Sequence, residues 1–85
     1  MTFSVILSET ANATLIKLNK DISNRIIKRL EQIRSDPYVY VKRLHGVELF
    51  SLRVGDYRVI MDIKNNKMVI FVITIGHRKA VYEEL

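Results

Sequence analysis

Residues 2–7 alternate, with Phe3, Val5 and Leu7 on one side of Ser4 and Ile6, and are rich in β-formers, which predicts a first strand. Ser8 is placed to cap a helix, with Glu9 in its first turn. Ala11, Leu15 and Leu18 then fall on one helical stripe that ends near Asn19. Asp21 reads as the cap of a second helix. In that helix Ile22, Ile26, Leu30 and Ile33 recur at helical spacing, while Arg25, Lys28, Arg29 and Gln32 take the other faces. Ser35-Asp36-Pro37 closes it, because the residue before a proline disfavours the α conformation.

After a basic connector over residues 38–48 the period changes to two. Strands are predicted over 49–54, 57–64 and 68–75. Gly55-Asp56 has the residue order of a two-residue II′ hairpin turn, with glycine where φ must be positive. Asn65-Asn66 suits a second tight turn, since asparagine tolerates the left-handed region. The last strand is apolar on both faces, as expected inside a sheet. The expected fold is therefore α+β in the order β-α-α-β-β-β. A helical hairpin covers one face of a small, mainly antiparallel four-stranded sheet.

A two-residue turn at Gly55-Asp56 sets Val54 opposite Tyr57 and Arg53 opposite Arg58. Phe50, Leu52, Val54, Tyr57, Val59, Met61 and Ile63 then share the face that the helices cover. The opposite face carries Ser51, Arg53, Arg58, Ile60 and Asp62. Continuing the same register through Asn65-Asn66 adds Val69, Phe71, Ile73, Ile75 and His77 to that second face. An apolar row of Ile60, Phe71 and Ile73 is thus expected there, needing cover from the C-terminal segment or a partner.

Composition narrows the class. Eighty-five residues, 48% hydrophobic and 27% charged, make one soluble domain. The absence of cysteine excludes a disulfide scaffold, a thiolate nucleophile and any Cys-based metal centre, and two histidines at unrelated spacing give no metal site. The longest apolar run, residues 68–75, is far short of a membrane span, and the N-terminus lacks the basic lead of a signal peptide, so a cytoplasmic location is expected. A net charge of +5 favours polyanionic partners, meaning RNA, DNA or an acidic protein.

The candidate chemistry is cationic. Two guanidiniums opposite each other repel, so Arg53 and Arg58 are either two solvated side chains or a pair that holds a phosphate. His77, Arg78 and Lys79 leave the end of the last strand, where an imidazole can exchange a proton and a guanidinium can neutralise charge on phosphorus. Tyr82 offers a ring for stacking and a hydroxyl for hydrogen bonding. The basic positions of the second helix read first as a solvated face and second as electrostatic help toward RNA.

The stretch Leu49-Phe50-Ser51-Leu52-Arg53-Val54-Gly55-Asp56-Tyr57-Arg58-Val59-Ile60, followed by Ile75-Gly76-His77-Arg78-Lys79-Ala80-Val81-Tyr82, resembles the RelE branch of the RelE/ParE toxin superfamily. Lys42-Arg43-Leu44-His45-Gly46 is similar to that family's lead-in to its first C-terminal strand. The resemblance spans residues 1–85 as a single RelE-like toxin domain. It implies a toxin of a type II toxin–antitoxin module that cleaves messenger RNA in the ribosomal A site, by 2′-hydroxyl attack on the adjacent phosphate and without metal or cofactor. The implied partners are the ribosome and an acidic RelB-like antitoxin.

By the same resemblance Arg58 is the phosphate-stabilising arginine, Arg78 a general acid or charge stabiliser, and Tyr82 the residue that orients or stacks on substrate. Arg53, Lys42, Arg43, His45 and Lys79 are the expected substrate-binding positions. The family's two strand lysines, one of them a proposed general base, correspond here to Leu49 and Ser51, which moves the search for a base to His77 first and His45 second. A ParE-like gyrase inhibitor and a catalytically inert RNA- or protein-binding module are the alternative readings of the same fold.

Overall fold

The computed structural model describes residues 2–77. Strand β1 (Ser4–Leu7) leads into helices α1 (Glu9–Lys17) and α2 (Lys20–Gln32) and a 3-10 turn over Pro37–Val39. Strands β2 (Lys42–Arg43), β3 (Phe50–Val54), β4 (Tyr57–Lys64) and β5 (Val69–His77) follow. They form one sheet in the order β1-β5-β4-β3-β2, with β1 parallel to β5 and the other pairs antiparallel. The α+β class and the helical hairpin are as expected from sequence. The sheet has five strands rather than four, because Lys42 and Arg43 of the connector pair with Ser51 and Phe50 as a short edge strand. Among the described residues, no helix is long and apolar enough to cross a membrane.

Ser8 caps α1, its Oγ accepting from Ala11 N at 3.0 Å, and Glu9 and Lys17 complement the helix dipole at either end. The cap of α2 is Asn19 rather than Asp21: Asn19 Oδ1 accepts from Asp21 N at 2.9 Å, and Asp21 sits in the first turn, where its charge favours the helix N-terminus. Ser23 Oγ donates to Leu15 O at 2.6 Å and ties the two helices together. Arg34 Nε donates to Phe3 O, and Phe3 N donates to Arg34 O, which docks the end of α2 onto the chain before β1.

The core lies between the helices and one face of the sheet. Ala11, Leu15, Ile26, Leu30 and Ile33 meet Leu52, Val54, Val59, Met61 and Ile63, with Phe50 and Tyr57 packed at the margin. Every residue that the predicted β3–β4 register assigned to this face is therefore there. Gly55 takes φ +60° while Asp56 does not turn positive, consistent with the type II′ assignment. The second hairpin differs. Residues 65–67 form a 3-10 turn, and the left-handed position falls on Met68 (φ 53°, ψ 47°) instead of an asparagine.

The largest departure is in β5. Ile60 pairs with Thr74, but the next residue, Met61, pairs with Val72, so Ile73 is the extra residue of a β-bulge. One extra residue reverses the side-chain alternation beyond it. Ile75 consequently joins the core opposite Val59 and His77 falls opposite Tyr57, both on the helix-facing side, while Thr74 and Gly76 take the open face. The apolar row expected there is broken up as a result. Ile60 is buried in the row between Ser51 and Thr74, Ile73 is the half-buried bulge residue, and Phe71 remains exposed beside Ile6 of β1.

Candidate functional site

The open face at the β2–β3–β4 end carries two adjacent cross-strand rows. Lys42, Ser51, Ile60 and Thr74 make one, and Arg53, Arg58 and Gly76 make the other. Ser51 and Thr74 are buried and neither is without a partner, so they form the floor of this part of the face. The loop between β2 and β3 is closed by Leu44 N donating to Leu49 O at 2.9 Å and turns at Gly46, whose φ of +82° a side chain would strain. That loop carries His45 to the rim.

Together these elements enclose a cavity of 290 Å³ lined by Tyr40, Lys42, Arg43, Leu44, His45, Ser51, Arg53 and Arg58. Four cationic side chains and one imidazole converge on it, and among the described residues no carboxylate is in the lining. Arg43 is 3.8 Å from Glu48 in an exposed pair, which removes little of the positive potential. Arg53 Nε donates to Gly55 O at 3.2 Å, which holds its stem along the hairpin turn. Arg58 is half-buried and is not without a partner.

A cluster of positive charge of this kind suits an anion, which it can hold by charge-assisted hydrogen bonds. The imidazole adds a group able to take a proton. Among the described residues, no group of three or more His, Asp or Glu side chains is placed to hold a metal ion.

Of the residues singled out from sequence, Lys42, Arg43, His45, Arg53 and Arg58 are brought together here. Arg78, Lys79 and Tyr82 lie outside the described residues. His77 is set apart: its ring packs edge-on against Tyr57 at 5.7 Å and 73°, on the sheet face opposite to Arg58. The bulge at Ile73 is the physical reason. Tyr40 was missed, although its position between Tyr38 and the Lys42-Arg43 pair, an aromatic beside cations, is the signal that could have found it. Its ring lies under Arg29, whose guanidinium carbon is 5.5 Å from the centroid.

Comparison with known proteins gives a consistent picture. A family model described as the ParE toxin of type II toxin–antitoxin systems matches residues 5–82. The chain is 27% identical to the mRNA interferase toxin RelE of Escherichia coli over 99% of its own length and 94% of that protein. Its fold is similar to the RelBE2 toxin–antitoxin complex of Mycobacterium tuberculosis, with TM-score 0.84 and 23% identity over 92% of this chain and 100% of that one. The archaeal RelE–RelB complex of Pyrococcus horikoshii is likewise similar, with TM-score 0.81 and 25% identity over 94% and 99%.

Proposed function

This chain belongs to the ParE toxin family of type II toxin–antitoxin systems and is a RelE-like toxin, and from that premise we propose that it is an endoribonuclease that cleaves messenger RNA in the ribosomal A site. The observation that carries the reading is the open-face cavity, where Lys42, Arg43, Arg53 and Arg58 surround one space with His45 at its rim and, among the described residues, no carboxylate in its lining.

In the proposed reaction His45 accepts the proton of a ribose 2′-hydroxyl. The 2′-oxygen attacks the adjacent phosphorus, and the bond to the 5′-oxygen breaks. The products are a 2′,3′-cyclic phosphate and a 5′-hydroxyl, with no metal required. Arg58 neutralises the charge that builds on the non-bridging oxygens, as a partly buried guanidinium does better than an exposed one. By family resemblance Arg78 protonates the departing 5′-oxygen or stabilises its charge, Tyr82 stacks on or orients a base, and Lys79 binds the strand. His45 replaces the strand lysines of relatives, whose places are taken by Leu49 and the buried Ser51.

An acidic RelB-like antitoxin is the proposed cellular partner, supported by the toxin–antitoxin complexes among its structural relatives. Its apolar contacts would fall on the exposed Ile6 and Phe71 rather than on Ile60, which the chain already buries. Since the matching family model is named for ParE, a gyrase-directed activity is the second reading.

One experiment separates the two. Purified toxin is added to a translation reaction and messenger RNA ends are mapped, beside a gyrase supercoiling assay. Codon-phased cuts that disappear with Arg58→Ala are expected. Intact messages with inhibited supercoiling would replace the nuclease reading by the gyrase one.

A further inference from the structure

A second groove, of 280 Å³, lies on the other side of Arg53, between α2 and the β3–β4 turn. Arg25, Lys28, Arg29, Gln32, Arg53, Val54 and Gly55 line it. Among the described residues it holds four cations and no carboxylate, and neither Arg25 nor Lys28 is in an ion pair with a described residue. Helix periodicity explains half of this arrangement, since Arg25, Lys28, Arg29 and Gln32 fall on one strip of α2. The hairpin turn supplies the rest. Gly55 presents bare backbone to the groove, and a Cβ there would meet Arg25 Nη1 at 3.6 Å.

Two residues relate the cavities. Arg53 lines both. Arg29 lines the α2 groove and stacks on Tyr40, which lines the open-face cavity, and its Nη1 is steadied by Gln32 Oε1 at 3.0 Å. Like charges gathered in neighbouring grooves repel, and an anion bound among them lowers that repulsion. A single phosphate fits one cavity only. A polyanion with regularly spaced charges can engage both, with Arg53 as the residue they share.

We infer that the groove between α2 and the β3–β4 turn is a second phosphate-binding subsite for an RNA strand, holding the backbone that continues from the open-face cavity, with Arg25 and Lys28 as its principal contacts. The inference rests on the RNA-directed reading of the open-face cavity, and it extends that reading from one phosphate to a strand with a defined path. Arg53 is the shared contact between the subsites, and Arg29 couples the helix to the connector through Tyr40.

The test is a salt titration of binding. The full chain is titrated against an oligouridylate of about twelve nucleotides, followed by fluorescence anisotropy. Each phosphate contact on a single strand contributes about −0.7 to the slope of log K against log salt. Arg25→Ala/Lys28→Ala is expected to make that slope shallower by about 1.4. A control of equal charge loss, Lys17→Ala/Lys67→Ala, alters two exposed positions outside both cavities and is expected to leave the slope as in the wild type. A slope in the groove variant no different from that of the control would overturn the subsite. So would a groove variant that keeps its RNA binding while losing affinity for poly-glutamate, which would assign the groove to an acidic protein. The mapped messenger RNA ends decide the nuclease reading separately: intact messages together with the expected slope change would sink that reading and leave an RNA-binding groove standing.

Discussion

Ser8 Oγ donates to Ile73 O at 2.6 Å while accepting from Ala11 N at 3.0 Å. One hydroxyl thus caps α1 and holds the carbonyl of the bulge residue in β5, and Ser8 N adds a bond to Val72 O at 2.9 Å. Because the bulge decides which residues of β5 face the site, this serine connects the start of the helical hairpin to the arrangement of the open face. Removing the hydroxyl strands one helix N–H and one strand carbonyl together.

Ser8→Ala is therefore expected to destabilise the fold by about 2 kcal/mol, combining a lost cap with a lost part-buried hydrogen bond. Asn19→Ala, which removes an exposed cap of α2 and nothing else, should cost about 1 kcal/mol or less. Urea unfolding midpoints of the two variants measure the difference. Equal costs would mean that the bond to Ile73 contributes no net stability.

Arg58→Ala should lower messenger RNA cleavage by about 10²–10³-fold, the loss seen when one preorganised charge stabiliser is removed. Arg58→Lys should recover little of it, because an ammonium cannot make the two-pronged contact of a guanidinium. Thermal unfolding should move by no more than about 1 kcal/mol in either variant. A loss of several kcal/mol would instead mark Arg58 as a structural residue.

His45→Ala is expected to reduce cleavage by about 10²–10⁴-fold, as for loss of a general base. His77→Ala should leave it nearly intact, since that ring packs on Tyr57 across the sheet from Arg58. Primer extension on the same message, with each variant at equal concentration, gives the comparison. The opposite ranking would remove His45 from the reaction.

Leu52→Ala and Val72→Ala each open a cavity in a fully buried position and should cost about 2–4 kcal/mol and about 1–3 kcal/mol respectively. In a chain of this size that is a large share of the total stability, so both should lower the thermal midpoint by many degrees. Unfolding monitored by circular dichroism tests this; a Leu52→Ala variant as stable as wild type would mean that the β3 register places Leu52 differently.

Periodicity and turn chemistry, which are local properties, were enough to read the helical hairpin, the boundaries of β4 and the pairing of Arg53 with Arg58. The last followed because Gly55-Asp56 permits only a short turn, and a short turn leaves one register that puts Leu52, Val59 and Met61 on the same buried face. The cationic character of the site was legible for a related reason: Lys42, Arg43, Arg53 and Arg58 stand out from an otherwise alternating pattern.

What tertiary structure decided is everything that depends on residues far apart in the chain. The bulge at Ile73 has no signature of its own in an unbroken run of β-formers. It lies where β5 pairs with β4 and its Ile73 carbonyl accepts the Ser8 hydroxyl, just past the residues paired with β1, and it sends His77 to the far face. The two-residue strand β2 and the cavity beneath its loop arise in the same way, from the pairing of Lys42 with Ser51. A sequence determines which side chains are available, but alternation counted along one strand cannot register an extra residue that only the neighbouring strands require.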